Sequence, residues 1–253
     1  MKWNNQWKLA AFAACVLLAA SCKKDNNKSG TINGPQAALG NGTMHSFLEK
    51  DSHGNPVSLG IKFSASSLNG LSTDGSKEWM YPLELPQEAK VTGFDHLEVD
   101  WNPWGHEPQG IYTFPHFDFH FYRVTKDEQA KVTPGPDNTP VPAMYQPKDY
   151  ESGVIAVPDM GVHWVDSLAP EFHGTKFTST FIYGFYQGHL TFMEPMATLE
   201  WLNTKPAFDA NIKQPQAFEK AGYYPIAIHY SYDSQAGEYT VSLNNLVWHD
   251  AGK

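Results

Sequence analysis

The stretch "PHFDFHFY", Pro115 to Tyr122, places His116, Asp118 and His120 at alternate positions, with Phe117, Phe119 and Phe121 between them. On a β-strand successive side chains point to opposite faces. The three phenylalanines therefore share one face, suited to a hydrophobic core. The two imidazoles and the carboxylate share the other. The same alternation recurs outward from this point. "VSLGIKFS" (57–64) alternates, and "TGFDHLEVDW" (92–101) sets Leu97, Val99 and Trp101 against His96, Glu98 and Asp100. "GVIAVPDMGVHW" (153–164) reads as a strand running into a turn. Residues 176–202 read as a hairpin turning at Gln187-Gly188, and residues 224–249 as a second hairpin. One helical turn is expected within 126–132 and a short helix over "PQAFEKAGYY" (215–224). Short strands separated by turn signals imply an all-β fold, a sandwich or barrel-like antiparallel domain with long loops and one or two short helices. The longest loops are the turn-rich "WNPWGHEPQG" (101–110) and the Pro-rich segment 133–153.

The front of the chain has a different character. Lys2 and Lys8 precede an apolar run from Leu9 to Ala20, too short to span a bilayer but suited to a signal peptide. "LAASC" then resembles a bacterial lipobox, with Ala19 where Leu is usual. This implies a lipoprotein signal over residues 1–21 and a lipidated Cys22. Residues 22–40, rich in Lys, Asn and Gly, read as a flexible tether, and 41–253 as the β-rich domain. Cleavage before Cys22 leaves one of the two cysteines, so no intramolecular disulfide can brace the fold. It also removes Lys2 and Lys8 from the 18 basic residues, leaving 16 against 27 acidic ones, a balance of −11. That balance argues against nucleic acid or anionic lipid as a partner. Attachment to a membrane would come from acyl chains on Cys22. The expected location is the bacterial cell envelope, anchored by lipid on the periplasmic side or at the cell surface.

Imidazoles and carboxylates are common ligands of zinc, iron, manganese and copper. The candidate ligands are His106, His116, Asp118, His120, His163 and Glu194, with His189 considered beside them. Residues two apart on a strand are ~7 Å apart and residues four apart ~13 Å. Asp118 with one flanking histidine is therefore the natural pair, and His116 and His120 can share an ion only through a bulge or inward-leaning rings. Asp118 could instead orient an imidazole from behind. His106 ends a rigid loop that can fold back over the strand. Glu194 is expected on the face of Leu190 and Phe192, where a carboxylate is costly unless paired; the other reading is a wet side chain at a strand end before Pro195. His96, His173, His229 and His249 read as surface or packing residues. "HFD" also resembles the His-x-Asp half of an iron/2-oxoglutarate facial triad. That triad needs a cation for the cosubstrate, and the chain has a single arginine, Arg123. "GVHW" near the histidines is similar to carbonic anhydrases, but their His-x-His pair is absent, since Asp118 occupies the middle.

Three blocks, "DWNPWGHEPQGIYTFPHFDFHFY" (100–122), "MGVHW" (160–164) and "YGFYQGHLTFMEPMATLEWL" (183–202), together resemble a bacterial family of exported β-proteins catalogued as a domain of unknown function. "GTMHSFLEKDSHGNPVSLGIKFSASSLNGL" (42–71) is similar too, so the resemblance covers most of residues 42–250. It implies a mostly β fold and an exported location, and it supplies no reaction. The family pattern matches at His106, His116, Asp118, His120, His163 and Glu194.

Two functions compete. One is an envelope lipoprotein with a His/Asp/Glu site around one divalent transition metal, zinc first and iron or manganese next, where an open coordination position would support metal-dependent catalysis. The other is a non-catalytic envelope module that binds a small-molecule ligand or a partner, itself included as a homo-oligomer, with the His/Asp cluster as a structural network. In that case Trp101, Trp104, Tyr112 and Tyr186 could stack on a ligand, or simply pack in the core. The lipobox reading has its own test: Cys22→Ser should move the protein from the membrane fraction to the soluble fraction, and unchanged fractionation would contradict it.

Overall fold

The computed structural model describes residues 29–252. The signal segment and Cys22 lie outside the described residues. In chain order the strands are β1 (Gly30–Leu39), β2 (Gly42–Lys50), β3 (Pro56–Ser64), β4 (Trp79–Leu83), β5 (His96–Asn102), β6 (His116–Tyr122), β7 (Gly135–Pro136), β8 (Tyr150–Val157), β9 (Gly161–Asp166), β10 (Ser179–Tyr186), β11 (His189–Thr198), β12 (Phe208–Asn211), β13 (Gly222–Tyr224), β14 (Ala227–Asp233), β15 (Glu238–Asn244) and β16 (Val247–His249). They form a six-stranded sheet, β1-β2-β3-β15-β14-β12, an eight-stranded sheet, β4-β5-β6-β11-β10-β9-β8-β7, and a small β13-β16 pair. Neighbouring strands are antiparallel and neither large sheet closes into a barrel.

The two large sheets pack face to face. Leu59, Ile61, Phe63, Val241 and Leu243 from the first meet Leu97, Val99, Phe117, Phe119, Phe121 and Met193 from the second in one core. Phe63 bridges them, its ring 6.2 Å from Phe119 and 6.5 Å from Phe117. The alternation in β6 is thus used as the sequence implies: the phenylalanines fill the sandwich. The opposite face of the large sheet does not reach water. A second apolar cluster of Tyr112, Tyr122, Val124, Met160, Phe177, Ile182, Phe192 and Met196 covers it. Both β5 and β6 are consequently buried along their whole length, on both faces.

Four local expectations change. Residues 30–39, read as part of the tether, form β1, an edge strand paired to β2 from Gly30↔Lys50 to Leu39↔Gly42. Its side chains are small, polar and largely exposed, so backbone pairing decides its shape, and the only break in register falls at the Gly34-Pro35 step. Residues 215–224 are not a helix. The Ala217 amide bonds to the Met144 carbonyl, Phe218 stacks on Tyr224 at 3.5 Å, and Gly222–Tyr224 pairs with β16. Tertiary contacts outweigh local helix propensity there. Leu190 does not share a face with Phe192. Gly184 opposes Phe192 and Phe185 opposes Leu190, so Thr191 is an extra residue, and this bulge turns Leu190 toward the main core. The fourth change concerns the strand end: β11 runs through Pro195 to Thr198, which leaves Glu194 in mid-strand. One helical turn, Lys126–Gln129, forms as expected with a capping box on Thr125.

The inward face of β6 sets the stability of the sandwich. Phe119 is fully buried, so Phe119→Ala should cost about 3–5 kcal/mol in denaturant unfolding; a loss well under 1 kcal/mol would contradict this packing.

Candidate functional site

The outer face of the large sheet brings all six expected residues to one place, but in two sets. His120, His163 and Glu194 form one set and His106, His116 and Asp118 the other, the donor atoms within each set lying within 4.8 Å of one another. His189 is elsewhere, paired with Glu219 at the surface.

The inner set comes from three strands. β6 supplies His120. β11 pairs with β6 at Met193↔Phe121 and again from Met196↔Asp118, which sets Glu194 beside His120. Pro195, lacking an amide hydrogen, falls in the gap between those pairs. His163 stands two strands away on β9, opposite Gly184 of β10, which in turn opposes Phe192. Glycine at 184 is required by space: a Cβ there would lie 2.1–2.3 Å from carbons of the Phe192 ring. The Phe192 ring fills that position and packs against both imidazoles, 4.7 Å from His120 and 5.1 Å from His163. Both imidazole Nε2 atoms lie 3.6 Å from Glu194 Oε2. Behind His120, Nδ1 is 3.0 Å from Asp100 Oδ2.

The outer set is centred on Asp118. His116 Nε2 lies 3.1 Å from Oδ1 and His106 Nε2 3.3 Å from Oδ2. Asn102 at the end of β5 donates to Oδ2 at 2.7 Å and to Glu78 Oε1 at 3.0 Å. His106 is delivered by the loop between β5 and β6, which is folded back by the bond from its amide to the Tyr112 carbonyl. The Nδ1 atoms of both histidines sit 2.6 Å from backbone carbonyls, of Glu107 and Phe114 respectively. A carbonyl can only accept, so each Nδ1 carries a hydrogen, and Nε2 is the ring nitrogen turned toward the carboxylate.

Several of these groups face one another without an aligned hydrogen bond. Among the described residues, Asp100 Oδ1 and Oδ2, His116 Nε2, Asp118 Oδ1, both ring nitrogens of His120, and Glu194 Oε2 are buried without a well-aligned hydrogen bond. The short distances quoted for them are therefore electrostatic contacts. Buried polar groups are costly unless each finds a proton or a cation. Among the described residues the ion pairs of Asp100, Asp118 and Glu194 are all with imidazoles. Burial, reinforced by the charges of Asp118, Glu78 and Asp100, pushes the Glu194 carboxyl well above its usual range. Burial does the same to Asp100, with Glu78 and Glu98 adding to it. Burial lowers both His120 and His163, the latter to about 3, so these rings are neutral donors at physiological pH. Asp118 is different: burial opposes its charge, yet His116 and His106 hold it below the ordinary carboxylate range. Burial likewise opposes the charged form of His106, and the bond and charge of Asp118 override it, raising His106 to about 9.

Donors on a tetrahedral ion at ~2.0–2.1 Å are separated by roughly 3.3–3.4 Å, which the 3.1–3.6 Å contacts approach. A ring whose second nitrogen is held by a carboxylate or a carbonyl is also the usual form of a metal-ligating histidine. Both sets thus fit a divalent ion on their chemistry. Sequence reasoning missed Asp100, Asn102 and Glu78. Asp100 and Asn102 were findable, because pairing β5 to β6 opposes Asp100 to Asp118 and Asn102 to His116. Glu78 precedes β4 and carries no periodic signal. The single arginine serves the fold: Arg123 lies over Tyr224 and Phe94 and donates from Nη1 to the Thr92 and Tyr223 carbonyls. It is not available to a cosubstrate. Trp101 and Tyr112 are buried core residues, and Trp104 is exposed.

A family model described as TTHB210-like, "Hypothetical protein TTHB210", matches residues 51–101. The match spans β3 to β5 and contains Asp100 but none of the six candidate ligands. It is consistent with a domain of unknown function and brings no activity with it. No significant match to the chain was found among curated proteins or solved structures.

The Gly184–Phe192 contact is the mechanical support of the inner set. Gly184→Ala should displace the Phe192 ring and destabilise the protein by about 1–3 kcal/mol in denaturant unfolding. An unchanged midpoint would show that the ring is not clamped there.

Proposed function

We propose that this chain is a cell-envelope lipoprotein that holds a divalent transition metal on His120, His163 and Glu194, zinc first, with iron or manganese as alternatives. The observation that carries the reading is the triangle of two imidazole nitrogens and one carboxylate oxygen at ligand spacing, of which His120 Nε2 and Glu194 Oε2 are buried without a hydrogen-bond partner among the described residues. The lipobox-like "LAASC" supports the envelope location.

The chain's own groups prepare the triangle. Asp100 Oδ2 stands 3.0 Å behind His120 Nδ1, which leaves Nε2 as the ring nitrogen turned to the site. Phe192 fixes the planes of both rings and keeps water from their faces. Glu194 supplies the anionic donor once it gives up its proton. His163, about one-fifth exposed, is the side of the triangle nearest solvent. Three protein donors leave a position for water or an oxygenated ligand, and an ion there would acidify the water or polarise the ligand. Two histidines and one carboxylate are a set shared by catalytic zinc and non-haem iron sites, so the reading is a metal-dependent activity of the envelope.

Elemental analysis of the purified protein tests this. Wild type should carry an equivalent of metal that His163→Ala and Glu194→Gln each lose. Saturating the metal-depleted wild type at about 100-fold over Kd should stabilise it by about 2.7 kcal/mol. A protein that carries no metal, and takes up none from excess zinc, iron or manganese, would contradict the reading. The polar face would then be the hydrogen-bonded network of a non-catalytic binding module.

A further inference from the structure

We infer that the chain has a second, independent divalent-cation site, formed by His106, His116 and Asp118 and held apart from the inner one. The inference uses the same donor chemistry as the inner site but does not require that site to be filled.

Its strongest support is that every other valence of the outer set is already used. His106 and His116 each commit Nδ1–H to a backbone carbonyl at 2.6 Å. Asp118 Oδ2 is held by Asn102 at 2.7 Å, and Asn102 is held by Glu78. What remains is His106 Nε2, His116 Nε2 and Asp118 Oδ1, the last two buried and without a hydrogen-bond partner among the described residues. His116 Nε2 lies 3.1 Å from Oδ1 and His106 Nε2 3.3 Å from Oδ2 of the same carboxylate, and the donor atoms of the set all lie within 4.8 Å of one another. Aromatic rings fix the geometry: Phe177 packs edge-on to His116 at 5.5 Å and Tyr112 to His106 at 5.9 Å.

The donor atoms fall into two separate groups, each within 4.8 Å, and among the described residues no ion pair joins a member of one set to a member of the other. Asp100 stands between the sets. It opposes Asp118 in the β5–β6 register while its Oδ2 faces His120. The sites also differ in access. The inner donors come from strands, with His120 and Glu194 buried and His163 21% exposed. The outer site takes His106 from a loop, and that side chain is 34% exposed. The outer ion should therefore exchange faster, while the inner one is retained.

The test is metal stoichiometry by elemental analysis, with cobalt(II) and zinc(II) as probes, on full-length wild type, His106→Ala, Asp118→Asn and His163→Ala. His106 is on the surface, so its variant should fold, and circular dichroism checks this. Two equivalents are expected in wild type. One should be lost in His106→Ala and in Asp118→Asn, and the other in His163→Ala. Cobalt absorption should show two environments, of which His106→Ala removes one. A chelator should strip the outer equivalent first, and Asn102→Ala should weaken that equivalent alone by roughly 10–100-fold. One equivalent that His163→Ala abolishes and His106→Ala leaves would overturn this inference while the inner site stands. One equivalent lost in both variants would mean a single shared site and would also overturn it. One equivalent lost only in His106→Ala would uphold the outer site and remove the inner one.

Discussion

Everything distinctive in this protein follows from burying both faces of one strand. A sheet in a sandwich normally offers one face to the core and the other to water. In β6 the inward face carries three phenylalanines and the outward face two histidines and an aspartate, and the outward face is covered by aromatic side chains and the long loops. Polar groups are thereby placed where water cannot satisfy them. Their hydrogen bonds, protons and counter-charges must come from neighbouring strands. Asp100 and Asn102 on β5, Glu194 on β11 and His163 on β9 are those neighbours.

The charge balance of this face explains why its members differ so much. Glu78, Glu98, Asp100, Asp118 and Glu194 share a small low-dielectric region with four imidazoles. Where an imidazole can charge and face a carboxylate, as His106 does with Asp118, an ion pair stabilises the ionised forms. Where burial is deeper, as at Glu194 and His163, the neutral forms win. A divalent cation would reverse that preference, since it stabilises ionised carboxylates and neutral imidazoles together. Binding at the inner triangle would thus displace a proton from Glu194, whereas the outer set already has its carboxylate ionised.

Much of this was legible in the sequence because strand alternation has a period of two and leaves little freedom. "HFDFHFY" fixes which groups share a face, and it led to the grouping of His116, Asp118 and His120. Long-range pairing was not legible. The division of six candidates into two sets depends on β6 lying next to β11 while His163 stands beyond β10, and no local pattern encodes that order. The Thr191 bulge, which turns Leu190 away from Phe192, is likewise a property of the paired strands. Residues 30–39 look like a tether because their side chains bury little, yet the backbone of β2 offers an edge and they take it. The helix expected at 215–224 loses to the stacking of Phe218 on Tyr224, whose ring also packs against the guanidinium of Arg123, far away in sequence.

The central claim is that imidazole and carboxylate groups on one buried sheet face are metal donors. X-ray absorption at the metal edge of zinc-loaded protein tests it most directly. The account predicts nitrogen and oxygen neighbours at ~2.0–2.1 Å, no sulfur, and outer scattering from two imidazole rings per zinc. Zinc surrounded by water oxygens alone, with no imidazole scattering, would contradict it.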